Sequence, residues 1–150
     1  MNNQEEKLLN ILLVEDDSVD VMNVQRAFKK NNITNPLNIA FNGVEALNML
    51  RGTNGKPKLN PTPRIILLDI NMPKMNGIEF LRELRVDPEL KSISVFVMTT
   101  SNDDQDKIEA YNLYVAGYIL KPLSFEKFVN SIAVLSNYWK LCEQPIPNKL

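Results

Sequence analysis

The chain has 150 residues, enough for one domain with one core. Hydrophobic residues make up 44% and charged residues 23%, which excludes a disordered or fibrous chain, and a net charge of −1 leaves no broad basic field for nucleic acid. With no histidine and a single cysteine, Cys142, the sequence excludes Ser-His-Asp and Cys-His catalysis, histidine ligation of metal or haem, intrachain disulfides and multi-cysteine metal sites.

The N-terminal residues MNNQEEKLLN lack the basic and then long apolar pattern of a secretory signal, and no apolar run nears the ~20 residues that cross a bilayer. A cytoplasmic protein without membrane contact is expected. The first apolar run, Ile11 to Val14, predicts a strand. In SVDVMNVQRAFKKN, Val21, Val24 and Phe28 recur at helical spacing, with Lys29 and Lys30 in the last turn; Asp17 or Ser18 is placed to cap this helix. Leu37 to Phe41 follows as a less uniform strand that suits a sheet edge. In NGVEALNMLRG, Val44, Leu47 and Leu50 are expected on one buried face, with Gly52 as the stop.

The segment RGTNGKPKLNPTP is the one long loop; it reads as a mobile connector or as an insertion that meets a partner. Ile65 to Leu68 predicts the third strand. MNGIEFLRELR predicts a helix with Ile78, Leu81 and Leu84 or Arg85 inward, ended by Asp87-Pro88. Ile93 to Met98 is the fourth strand, and NDDQDKIEAYNLY opens a helix with acidic residues. Ala116 to Leu120 is the fifth strand. SFEKFVNSIAVLSNYW closes the pattern, with Ser124 as cap and Phe125, Phe128, Val129, Ile132 and Leu135 as the buried stripe.

Strict alternation of strand and helix predicts an α/β, doubly wound parallel sheet with helices on both faces. Near-continuous apolar strands agree with burial on both sides. Two architectures compete at this length: half of a dinucleotide-binding fold, and a flavodoxin-like five-stranded sheet of order 2-1-3-4-5. Both bind ligands beyond the carboxyl ends of the strands.

Those ends carry the chemistry. The first strand ends in Glu15, Asp16 and Asp17, the third in Asp69, the fourth in Thr99, Thr100 and Ser101, and the fifth in Lys121-Pro122. Carboxylates brought to one point repel unless a cation neutralises them, and an all-oxygen donor set suits Mg2+ or Mn2+. Carboxylates, a hydroxyl and a lysine together match phosphoryl transfer, where positioning and charge neutralisation supply the catalysis. A carboxylate is itself a competent phosphoryl acceptor, so Asp69 is the candidate nucleophile.

ILLVEDD, IILLDINMPKMNG, VFVMTTS and GYILKP together resemble the receiver domain of two-component response regulators, over about Leu9 to Asn137. The resemblance implies a receiver domain at residues 9–137, an N-terminal extension at 1–8 and a C-terminal tail at 138–150. It implies Asp69 as phosphoacceptor, with Glu15, Asp16, Asp69 and the backbone carbonyl of Asn71 holding the metal ion. It also implies Thr99 as the switch hydroxyl, Lys121 as the phosphate-binding lysine, a cis Lys121-Pro122 peptide, and Tyr118 as the aromatic switch. Phosphorylation would then reshape the face formed by the fourth helix, fifth strand and fifth helix. Glu15 stands where aspartate is usual, and Asp17 has no metal role.

The chain stops about a dozen residues after the fifth helix, so no output domain is expected to follow. An aromatic-Trp pair, Tyr138 and Trp139, before a proline-containing tail is similar to the small regulators of phytochrome kinases. That implies a sensor histidine kinase as partner, of phytochrome type in the narrower reading. Tyr138 and Trp139 themselves read either as core closure or as part of a homodimer surface.

A phosphoacceptor, whether end-point or relay, requires a phosphohistidine donor elsewhere, because this chain has no histidine. It is not expected to be an enzyme beyond accepting and losing its own phosphoryl group. A haloacid-dehalogenase-type phosphatase would need an aspartate where Asn71 stands. A flavin carrier would need a phosphate loop where EDDS stands, and a phosphate-independent scaffold would have no need of Asp69, Thr99 and Lys121 together.

Overall fold

The structure is a computed structural model that describes residues 9–121 and 124–143. Five strands, β1 (Ile11–Val14), β2 (Leu37–Ala40), β3 (Ile65–Leu68), β4 (Ser94–Thr99) and β5 (Gly117–Leu120), form one parallel sheet of order β2-β1-β3-β4-β5. The helices between and after them are α1 (Ser18–Lys30), α2 (Gly43–Arg51), α3 (Gly77–Val86), α4 (Asp104–Asn112) and α5 (Phe125–Leu141). Of the two architectures open to the sequence, this is the flavodoxin-like one. β2 lies at the edge, as its mixed composition foretold, and β5 at the other.

Strand alternation divides the core in two. Leu12, Val14, Ile66, Leu68, Val95 and Val97 face α2, α3 and α4, where they meet Ala46, Leu47, Leu50, Phe80, Leu81 and Leu84. Ile11, Leu13, Ile65, Leu67, Phe96 and Met98 face α1 and α5, against Val24, Phe28, Phe128, Ile132 and Trp139. Each fully buried aliphatic or aromatic side chain contributes roughly 1.5–3 kcal/mol, so the central strands anchor the sheet and hold their carboxyl ends in register.

Helix starts follow from short polar side chains. Asp17 accepts the amides of Val19 and Asp20, Asn76 and Glu79 form a reciprocal capping box, and Ser124 accepts the amide of Lys127. Gly52 ends α2 in the left-handed region, at φ 70°.

Several inward assignments change. Val44 is exposed rather than buried, because positions 43, 46, 47 and 50 face the sheet and α2 lies over its narrow β2 edge. In α3 Phe80 joins Ile78, Leu81 and Leu84 inside. Arg85 instead donates to the carbonyls of Leu113 (2.7 Å), Lys91 (2.8 Å), Ile93 (2.7 Å) and Tyr114 (3.0 Å), tying the end of α4 to α3. Phe125 and Val129 are half-buried. Position 137 falls inside α5, which runs on to Leu141.

The long loop is stitched down: Leu59 donates its amide to Met49, Asn10 donates to the Pro61 carbonyl, and Lys56 pairs with Glu45 at 2.9 Å. The Asn60–Pro61 peptide within it is cis. The expected cis Lys121-Pro122 bond involves Pro122, outside the described residues.

Gly77 fixes the approach of α3 to the end of β3. Its amide donates to the Ile70 carbonyl at 2.8 Å, and a Cβ there would lie 2.6 Å from the Asp69 carbonyl oxygen and 2.8 Å from Ile70 Cα. Both neighbours are backbone, so neither can rotate away. Gly77→Ala is expected to lose about 1–3 kcal/mol in urea unfolding through this overpacking. A variant as stable as the wild type would show that the contact relaxes freely.

Candidate functional site

The carboxyl ends of β1, β3 and β5 bring Glu15, Asp69 and Lys121 together beneath Asp16. Glu15 is 3% exposed and Asp69 7% exposed, while Asp16 faces solvent. Glu15, Asp16 and Asp69 each offer one oxygen, and these oxygens lie within 4.8 Å of one another. Three hard oxygen donors at such spacing fit a small divalent cation that keeps further positions for water or phosphate.

Electrostatics support that fit. Burial pushes the Glu15 carboxyl up from 4.5 to about 7, against the Lys121 ammonium that draws it down, and the Asp69 charge adds to the rise. A buried carboxylate raised despite a lysine partner is one that a divalent cation would stabilise.

Lys121 is 11% exposed at its side chain. Its ammonium donates to Glu15 Oε1 at 2.9 Å and to Asp20 Oδ2 at 2.8 Å. Those partners hold its pKa above the usual lysine value against the cost of burial. The second oxygen of Glu15 accepts the Asp17 amide at 3.1 Å. The Asn71 amide reaches Asp69 Oδ1 only at 3.4 Å.

Thr99 and Tyr118 are linked through Ser101. Thr99, wholly buried, accepts the Ser101 amide on Oγ1 at 3.2 Å. Tyr118 donates its hydroxyl to the Ser101 carbonyl at 2.9 Å, and the Ser101 hydroxyl donates to Asp106 of α4 at 2.7 Å. Partial burial pushes the Tyr118 hydroxyl above its ordinary value. The tip of β4 is thus joined to β5 on one side and to the first turn of α4 on the other.

Every site residue expected from the sequence and lying among the described residues is at this end of the sheet. Asp17 caps α1. Two participants were missed. Asp20 lies in the first turn of α1, three residues after the Asp17 cap, where an acidic residue reads from sequence only as ordinary helix N-terminal charge. Ser101 reads from sequence only as part of the end of the fourth strand, and its backbone proves to be the joint between Thr99 and Tyr118.

Residues 11–133 match the family model described as the response regulator receiver domain. The chain belongs to that family. It is 36% identical over 129 residues to response regulator Rcp1 of Synechocystis sp., covering 86% of this chain and 87% of that one. It is 37% identical to a probable methanogenesis regulatory protein, FilR2, of Methanothrix harundinacea, with 86% and 82% covered. The solved structure of the phosphorylated cyanobacterial phytochrome response regulator RcpA superposes with a TM-score of 0.81 at 31% identity, covering 91% of this chain and 96% of that one. The receiver is a two-component signalling module, and phosphorylation and metal binding are typical of the family. Among the described residues no helix is long and apolar enough to cross a membrane.

Proposed function

We propose that this receiver accepts a phosphoryl group on Asp69 from the phosphohistidine of a sensor kinase and signals through the α4, β5 and α5 face. The observation that carries the reading is the convergence of Glu15, Asp16 and Asp69 with a buried lysine at one sheet end. An oxygen of Asp69 attacks phosphorus, the P–N bond of the donor breaks, and the released imidazole keeps its electron pair and takes up a proton. Hydrolysis later returns Asp69 to carboxylate and releases orthophosphate. In this reading the chain is a switch consumed and reset, with no turnover of a separate substrate.

Glu15, Asp16, Asp69 and the Asn71 carbonyl would hold Mg2+ or Mn2+, which when bound neutralises charge on the phosphoryl oxygens. Thr99 turns its hydroxyl towards the phosphoryl group and releases the Ser101 amide. Because Ser101 also holds Tyr118 and Asp106, that release reaches β5 and α4 together and biases a two-state face. Likeness to RcpA supports a phytochrome-type kinase as the donor, and a cytoplasmic location follows from that donor.

The homodimer reading rests on α5. Trp139 is buried against Phe28 (ring centroids 6.3 Å apart), so it closes the core; Tyr138 packs edge-on against Phe96 yet remains half exposed between Val134 and Leu141. Aromatic and aliphatic anchors in that array suit a second copy. Sedimentation should give a dimer that Tyr138→Arg dissociates; a monomeric wild type would exclude it.

The phosphorylation test uses acetyl phosphate with Mg2+. One phosphoryl group should be gained, and borohydride reduction should then convert residue 69 to homoserine in the peptide map. Reduction at another carboxylate would overturn the assignment.

A further inference from the structure

Resting on the reading of Asp69 as acceptor, we propose that Asp20 is a positioning residue that parks the Lys121 ammonium away from Asp69, so that a phosphoryl group must draw the lysine off Asp20. The ammonium's ion pairs go to Glu15 and Asp20, at 2.9 and 2.8 Å, and not to Asp69. Glu15 belongs to the three-carboxylate cluster, whereas Asp20 lies outside it. Asp20 is fixed by its backbone: its amide is bound by the Asp17 cap in the first turn of α1, which packs against the sheet through Val21 and Val24.

The space for movement is present. A cavity of about 230 Å3 opens between α1 and the start of α5, and Asp20, Lys121 and Asp69 all line it. Beyond them its wall is formed by apolar side chains such as Val24, Met98 and Phe128 together with Glu15, Asn23 and Thr100, so among the described residues that line it Lys121 is the one cation available to the carboxylates. A lysine is a compact charge on a flexible stem and can serve one of the two positions at a time. Asp20 carries one negative charge, and a phosphoryl group on Asp69 carries up to two, so phosphorylation can win the lysine. Without it, the ammonium stays on the α1 side. Asp20 thereby sets how readily the phosphorylated state forms, and ties the first turn of α1 to the occupancy of Asp69.

The experiment is a titration with beryllium fluoride in the presence of Mg2+, read from the amide NMR signals of Thr99 to Ser101. Asp20→Asn should lower the half-saturating concentration about fivefold, the factor that corresponds to one partly exposed ion pair. Asp20→Glu should return it towards the wild type. In a Lys121→Ala background, Asp20→Asn should give no gain. In the free, metal-free protein, NMR relaxation of the Lys121 Cε group should show greater motion in Asp20→Asn. Unchanged or weaker binding in Asp20→Asn overturns the parking role, and so does an equal gain in the Lys121→Ala background, which would signal plain charge repulsion. A wild type that responds to neither beryllium fluoride nor acetyl phosphate overturns the Asp69 reading, and this inference with it.

Discussion

Asp69→Asn is expected to take up no phosphoryl group from acetyl phosphate and yet to fold more stably than the wild type in divalent-free buffer. The amide is nearly isosteric with the carboxylate but cannot attack phosphorus, so uptake is lost rather than reduced. The stability gain has a separate origin. Asp69 sits in a cluster with Glu15 and Asp16, and its charge helps push the Glu15 carboxyl up. Two like charges about 5 Å apart repel by roughly 3 kcal/mol at an effective dielectric of about 20. Lys121 and the solvent at Asp16 offset part of that, leaving a gain on the order of 1–2 kcal/mol. Saturating Mg2+ should reverse the order, because it stabilises only the protein that binds it well. Mass spectrometry checks the first effect, and urea unfolding with chelator or with Mg2+ checks the second. A variant that still gains a phosphoryl group would move the acceptor to another residue.

Strand tips were legible because a parallel sheet sends every tip to one end. Once Ile11 to Val14 and Ile65 to Leu68 read as parallel strands, Glu15, Asp16 and Asp69 fall at the same end of the sheet, and the flavodoxin-like order, with Val14 paired to Leu68, makes them neighbours. Side-chain choice was less legible. Lys121 could reach any of several carboxylates from the end of β5, and only packing selects Glu15 and Asp20. Helix faces were read to within about 100°, one residue's turn, which separates exposed Val44 from buried Gly43 and Tyr138 from Trp139. The backbone contact that demands Gly77 comes from tertiary approach, which no local pattern encodes.

Metal-free protein should lose stability as pH rises from about 5 to about 8, and Mg2+ should abolish that loss. Glu15 sheds its proton near 4.5 when unfolded and near 7 when folded, chiefly because burial disfavours its charge. Between those values the folded chain binds more protons than the unfolded one, so its stability falls with pH. The contribution is complete below 4.5 and gone once pH has passed through about 7. At about 1.4 kcal/mol per pH unit the ceiling is ~3 kcal/mol, less whatever solvent screening at the mouth of the site removes. Lys121, raised above 10.5, contributes equally throughout this window and loses its share only at higher pH. Glu45 and Asp87, both lowered, act only in acid, where their share is lost as pH falls. With no histidine in the chain, little else titrates in the window. Mg2+ requires the ionised carboxylate, so its binding grows as the proton leaves and compensates for the loss. Urea unfolding across this range, with and without Mg2+, should show the slope in the wild type alone and a flat profile in Glu15→Gln. A flat metal-free wild type would mean that Glu15 ionises at its ordinary value, and that the buried cluster does not depend on a cation for its charge balance.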